Sequence, residues 1–195
     1  MRIFTDKELE LRNKGLKEIK QILEKINLPF FLVGGVLLGA VRDKNFIKWD
    51  WDVEISVFSE IAIKRISEIV NLSNESGFKT TIVNPGSKNL KIKLIKYDNK
   101  YSIEGLYIKK EYRLRKDYKY PAKFFTDLTT INFLGEDYLA PSPTSEFLTF
   151  VYGPDWMTPK KTLIKEDYLG EDHFNRTFYA KLKTILSKKI KEFLS

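Results

Sequence analysis

The chain has 195 residues, 43% of them hydrophobic, which is enough to bury one sizeable core; ordinary domain sizes favour a single domain over residues 1–195. It has no cysteine, which excludes disulfides, thiolate zinc sites and thiol nucleophiles, and its one histidine, His173, makes no metal site without several carboxylates. An excess of 34 Lys+Arg over 26 Asp+Glu gives a net charge of +8. That favours anionic partners such as nucleotides, nucleic acid, anionic lipids or phosphorylated glycans, though a lysine-rich composition raises the charge without any binding role as well.

Thr5-Asp6-Lys7-Glu8 has the form of a capping box, and Leu16, Ile19, Leu23 and Ile26 recur at helical spacing, so residues 6–26 are predicted as an amphipathic helix. Asn27 and Pro29 stop it. Phe30-Phe31-Leu32-Val33 reads as a short buried strand running into Gly34-Gly35, with one or two helical turns from Val36 to Arg42. The uncharged stretch from Leu28 to Val41 is too short to span a bilayer. Asp6, Glu8 and Glu10 precede any long apolar segment, unlike a secretory signal, so the expected location is the cytoplasm, with peripheral association at the inner face of the membrane left open.

Asp52 to Val57 is the next strand, Ser59 caps a helix that runs to Leu72 or thereabouts, and Phe78 to Val83 is strand-like before Asn84-Pro85-Gly86. Leu90, Ile92 and Leu94 alternate with lysines, and Asp98-Asn99 turns that strand into Tyr101 to Ile108 as an antiparallel pair. Lys109 to Lys123 is basic and tyrosine-rich and reads as a loop or irregular helix. Thr129 to Leu134 is a strand, Ser142-Pro143 starts a helix that Gly153 ends, and Phe174, Phe178, Leu182, Ile185 and Ile190 mark a final amphipathic helix. The fold class is therefore α+β, a mixed sheet flanked by helices with amphipathic helices at both ends, and there is no internal repeat.

Chemistry concentrates between Phe31 and Ser56. A glycine pair after a strand lets the backbone approach a ligand closely and offers amide donors to phosphate, although a tight turn needs small residues for its own sake. On a strand, Asp50, Asp52 and Glu54 project to one face while Trp51, Val53 and Ile55 point inward. Carboxylates so close together call for a cation, and hard oxygen ligands suit Mg²⁺ or Mn²⁺; the plainer reading is the wet face of a half-buried strand. Glycine turn, arginine and acidic strand in this order fit metal-assisted phosphoryl chemistry. Neither a Gly-x-x-x-x-Gly-Lys phosphate loop nor the Gly-x-Gly-x-x-Gly dinucleotide spacing is present.

Gly35-Val-Leu-Leu-Gly39-Ala-Val-Arg42 followed by Ile47-Lys-Trp-Asp-Trp-Asp-Val-Glu54 resembles the LicD family, which includes the fukutin-like proteins of the nucleotidyltransferase superfamily. Tyr152-Gly-Pro-Asp-Trp-Met-Thr-Pro159 is similar to a second family element, and weaker similarity runs through Phe125 to Pro141. Lys48 stands where the family usually has proline, and Glu54 replaces the last aspartate of the motif. The resemblance implies a nucleotidyltransferase-like fold and transfer of phosphocholine or a polyol phosphate from a CDP-activated donor to a glycan or polyol-phosphate acceptor. It implies catalytic roles for Asp50, Asp52, Glu54 and, as the acidic residue on a later strand, Glu104. Asp50, Asp52 and Glu54 would be the metal ligands, and Gly34, Gly35, Gly39 and Arg42 the nucleotide-binding set.

Two other functions remain open from the sequence. A nucleotidyltransferase moving NMP from an NTP, with release of pyrophosphate, would use the same metal site. A non-catalytic nucleic-acid module would use Tyr112, Tyr118 and Tyr120 among their lysines and arginines; it ranks last, because such tracts are usually solvated loops.

Overall fold

The computed structural model of the chain describes residues 2–83, 87–115 and 118–161. His173 and the helix expected around Phe174 to Ile190 lie outside the described residues. The chain opens with helix α1 (Asp6–Lys25), started by the expected capping box: Glu8 donates its N–H to Thr5 Oγ1 at 3.3 Å and its carboxylate accepts from Thr5 N at 2.8 Å. Strand β1 (Phe30–Leu32) follows, then α2 (Gly34–Arg42), β2 (Val53–Phe58), the short helix α3 (Ser59–Ala62), a 3₁₀ turn (Ile63–Arg65) and α4 (Ile66–Glu75). Strands β3 (Lys79–Val83), β4 (Lys91–Lys96), β5 (Asn99–Lys109), β6 (Tyr112–Arg115) and β7 (Tyr118–Pro121) come next, and then β8 (Thr129–Phe133), β9 (Glu136–Ala140) and α5 (Thr144–Tyr152).

The sheet runs in the order β3-β4-β5-β2-β1-β9-β8, with β6 paired to the far end of β5 and β7 paired to β6. The pairs β2·β5 and β1·β9 are parallel and the others antiparallel, so the sheet is mixed. Together with the flanking helices this is the α+β class expected. Two-residue turns at Tyr97-Asp98 and Leu134-Gly135 close the β4–β5 and β8–β9 hairpins with positive φ at both positions, the backbone sense that matches strand twist.

Side-chain alternation divides the sheet into two faces. Val53, Ile55, Val57, Tyr101, Ile103, Ile92 and Leu94 are buried on the face that α1 and α4 cover, where the Tyr101 hydroxyl donates to Arg12 O at 3.1 Å. The opposite face carries Glu54, Ser56, Ser102 and Glu104, brought side by side by the parallel register Glu54↔Ser102 and Ser56↔Glu104. Beyond them this face turns apolar: the Phe31 ring lies 5.1 Å from Phe58 and 5.4 Å from Phe125. Among the described residues no helix is long and apolar enough to cross a membrane.

The structure differs from expectation in several places; Ser59 makes no side-chain cap and donates to Lys88 O at 2.9 Å instead, and the β4–β5 turn lies at Tyr97-Asp98 rather than Asp98-Asn99. The basic segment from Lys109 to Lys123 is neither loop nor helix but the β6–β7 hairpin and a short 3₁₀ turn (Ala122–Phe125), because Tyr112, Leu114, Tyr118 and Tyr120 alternate with its charges. Strand β2 begins at Val53, the first residue in register with β5, so Asp50 and Asp52 sit in the loop before it. Trp51, expected in the core, is 64% exposed, since a loop residue is not bound to the alternation of the strand.

Candidate active site

The site forms where β1 runs into α2. Gly34 takes φ +60, a left-handed conformation that a side chain disfavours, and so turns the chain out of the strand and into the helix at once. Val33, at the N-cap position, makes no side-chain cap, and the first turn of α2 has no acidic residue. The N-terminal amides of α2 are thus not capped by their own segment. A Cβ on Gly35 would stand 1.9 Å from Asp50 Oδ2, and one on Gly34 would stand 3.3 Å from Glu54 Oε2. Two carboxylates therefore rest against the backbone of the glycine turn.

Asp50, Asp52 and Glu54 converge, although by a loop and a strand end rather than by one strand face. The loop is held from behind by Arg12, which is 0% exposed. Arg12 Nη1 donates to Asp50 O at 2.8 Å and Nε to Asn99 Oδ1 at 2.9 Å, and the guanidinium lies 4.0 Å from the Phe4 ring centre. Burial pushes the Asp50 carboxyl up to about 6 in spite of Arg12, and burial together with Glu54 and Asp50 pushes Asp52 up to about 7. Both groups are short of positive charge.

Glu104 is in the opposite condition. Burial would raise its pKa, but Arg115 and Lys91 outweigh burial and hold it low. Arg115 Nη1 lies 3.0 Å from Glu104 Oε2 and donates to Glu54 Oε2 at 3.2 Å. Lys91 pairs with Glu104, and its Nζ stands 3.9 Å from Glu54 Oε1. Ser102 Oγ donates to Glu104 Oε1 at 3.2 Å.

Gly39 and Arg42 lie away from the turn. A Cβ on Gly39 would meet Asn45 O at 2.5 Å, so this glycine lets the segment after α2 pack back on the helix. Arg42 is about 10 Å from Gly35 along the helix axis. It forms a two-pronged pair with Asp43, at 2.7 and 2.9 Å. Arg12, Lys91 and Arg115 were not legible as site residues. Arg12 lies 38 positions before Asp50, and Lys91 and Arg115 sit in strands whose lysine and arginine alternation reads as an ordinary wet face.

The residues present fit Mg²⁺ or Mn²⁺ in donor chemistry: Asp50, Asp52 and Glu54 supply hard oxygen ligands, and the raised carboxyls mark uncompensated negative charge. Among the described residues no three carboxylates are already gathered as a ligand group, and Glu54 pairs with Arg115 at 3.2 Å. Tyr120 is buried and offers no face to a base, and Lys119 Nζ stands 3.6 Å from the centre of the Tyr112 ring.

The profile of the family described as LicD/FKTN/FKRP, nucleotidyltransferase domain, matches residues 27–143. The chain belongs to the LicD family. The human ribitol 5-phosphate transferase FKRP is 28% identical over 147 residues, and the mouse ribitol 5-phosphate transferase FKRP is 27% identical over the same length. Each alignment covers 68% of this chain, and the chain spans 29% of the length of those two relatives. The solution structure of the antibiotic-resistance factor ANT(2'')-Ia overlaps at a TM-score of 0.49 and 15% identity, covering 78% of this chain and 76% of its own. The LicD region takes in the glycine turn, the acidic loop, Lys91, Glu104 and Arg115, and leaves out α1 with Arg12.

Proposed function

We propose that this chain is a metal-dependent phosphotransferase that moves a phosphocholine or polyol-phosphate group from a CDP-activated donor to a cell-surface glycan or related acceptor. The observation that carries this reading is the meeting of the Gly34–Gly35 turn with the carboxyls of Asp50 and Glu54, beside a loop whose Asp52 carboxyl is raised to about 7. Such a place suits a diphosphate bound through a divalent cation. The naming of two LicD relatives as ribitol 5-phosphate transferases supports a polyol phosphate as the group transferred.

In the proposed reaction the acceptor's hydroxyl oxygen bonds to the phosphorus that carries the head group. The bond from that phosphorus to the bridging oxygen breaks, CMP leaves with the electron pair, and the hydroxyl proton passes to solvent water. Asp52 and Glu54, with Asp50, would hold Mg²⁺ or Mn²⁺, which supplies charge stabilisation on the phosphate oxygens when bound. Asp50 is kept at the turn by its main-chain bond to Arg12. Glu104, saturated by two cations, is a poor proton acceptor.

Nucleotidyl transfer from an NTP would use the same carboxylates. Incubation with labelled NTPs and, separately, with CDP-choline, CDP-ribitol and CDP-glycerol distinguishes the two: CMP released from a CDP donor supports the proposal, and pyrophosphate released from an NTP with no CMP from any CDP donor overturns it.

A further inference from the structure

Four carboxylates crowd this end of the sheet, yet they are not alike. Glu104 is ringed by Lys91, Arg115 and the Ser102 hydroxyl, so its charge is compensated within the protein. Glu54 shares the same two cations at longer range, 3.2 Å from Arg115 and 3.9 Å from Lys91. Glu104 therefore lies closer to both cations than Glu54 does. Arg115 is only 7% exposed, and its Nε has no hydrogen-bond partner. A buried guanidinium with an unmet donor is costly unless an acceptor arrives to meet it. Glu54 Oε2 is also the oxygen that stands nearest the space above Gly34. The cation pair thus borders the glycine turn through Glu54 itself.

We propose that Lys91 and Arg115 form the anion-binding half of the site and grip the diphosphate of the donor, with Glu54 occupying their donors until the diphosphate takes its place. This rests on the phosphotransferase reading, which it deepens by assigning Glu104 to the cations rather than to the metal. Arg115 suits the role because a planar guanidinium presents several N–H groups to phosphate oxygens in a fixed fork, and Lys91 adds a point charge. Glu54, released from Arg115, becomes free to join Asp50 and Asp52 as an oxygen ligand. The site then balances: carboxylates face the metal and cations face the phosphates. The tyrosine-rich hairpin gains a purpose in the same way, since β6 and β7 carry Arg115 to the site and cover its guanidinium with Tyr118, 4.7 Å from the ring centre.

The test is calorimetric titration of the full chain with inorganic pyrophosphate and, in a second series, with CDP, both in Mg²⁺. Wild type is compared with Lys91→Met, at a half-buried lysine, and with Arg115→Lys, with melting curves to certify folding. A separate titration with Mn²⁺ reads metal affinity. Wild type should bind pyrophosphate, and Lys91→Met should bind it about tenfold more weakly, the size expected for one lost charge-assisted contact. Mn²⁺ affinity should hold or rise in Lys91→Met, because a competing cation has gone. Equal pyrophosphate affinity in wild type and Lys91→Met overturns the inference, as does failure of wild type to bind pyrophosphate or a joint fall in pyrophosphate and Mn²⁺ affinity. Lysine-91-dependent binding of pyrophosphate without binding of CDP supports the inference and contradicts the CDP-donor reading alone.

Discussion

Arg12 Nη1 donates to the main-chain oxygen of Asp50 at 2.8 Å, so the first helix of the chain fixes the loop on which two of the acidic side chains stand. The same guanidinium holds Asn99 Oδ1 beside the β4–β5 turn, and Arg12 thereby ties α1, the start of β5 and the acidic loop together. Arg12→Met should cost roughly 2–4 kcal/mol in chemical denaturation, because it leaves one buried and one partly buried acceptor unmet. The variant should also lose activity by more than its folded fraction explains. Wild-type specific activity in the folded Arg12→Met protein would show that the loop holds its place without this contact.

Asp52 links stability to pH. Its pKa is raised from an ordinary aspartate value to about 7, so between those limits the folded state binds more protons than the unfolded one. This group's contribution is most favourable at low pH, weakens as pH rises from about 4 to about 7 and is level above that. Asp52→Asn removes the dependence. Without divalent cation the variant should be more stable than wild type at pH 8 by roughly 1–3 kcal/mol, a range discounted for partial solvent access, and the difference should shrink toward pH 4. Saturating Mg²⁺ should abolish the advantage at pH 8 by stabilising wild type alone. Urea denaturation at the two pH values measures it; a constant difference across pH would contradict the raised carboxyl.

Gly35 and Gly39, both in α2, should respond oppositely. In Gly35→Ala the new methyl meets the end of the Asp50 side chain, which can swing away, and alanine favours a helix, so stability should stay within about 1 kcal/mol while activity falls. In Gly39→Ala the methyl meets the main-chain oxygen of Asn45 at 2.5 Å, which cannot yield so easily, and stability should drop by about 1–3 kcal/mol. Melting curves with parallel turnover assays separate the two; an inert Gly35→Ala would deny the turn a place in the chemistry.

Much of the fold was readable because local chemistry set it. The capping box at Thr5, the glycine turn at Gly34 and the alternation of Ile92 and Leu94 with lysines each specify an element without help from afar. The β6–β7 hairpin escapes a local reading because its charges outnumber its tyrosines, and two of those charges are paired in the structure: Arg113 with Glu60 at 2.9 Å, and Arg115 with Glu54 and Glu104. The acidic motif was visible as a pattern, but its shape was not, since the break in register before Val53 depends on where β5 begins to pair. Arg12, Lys91 and Arg115 reach the site only through tertiary contacts, which no local spacing encodes.

The central claim, that this site transfers a phosphorylated group from a CDP donor, is tested most directly by following CDP-ribitol with a phosphorylated glycan acceptor in Mg²⁺ by ³¹P NMR. Wild type should produce CMP and a new acceptor phosphodiester in equal amounts, and folded Asp52→Asn should produce neither. No phosphodiester from wild type across ribitol, glycerol and choline donors, or equal turnover by Asp52→Asn, would contradict it.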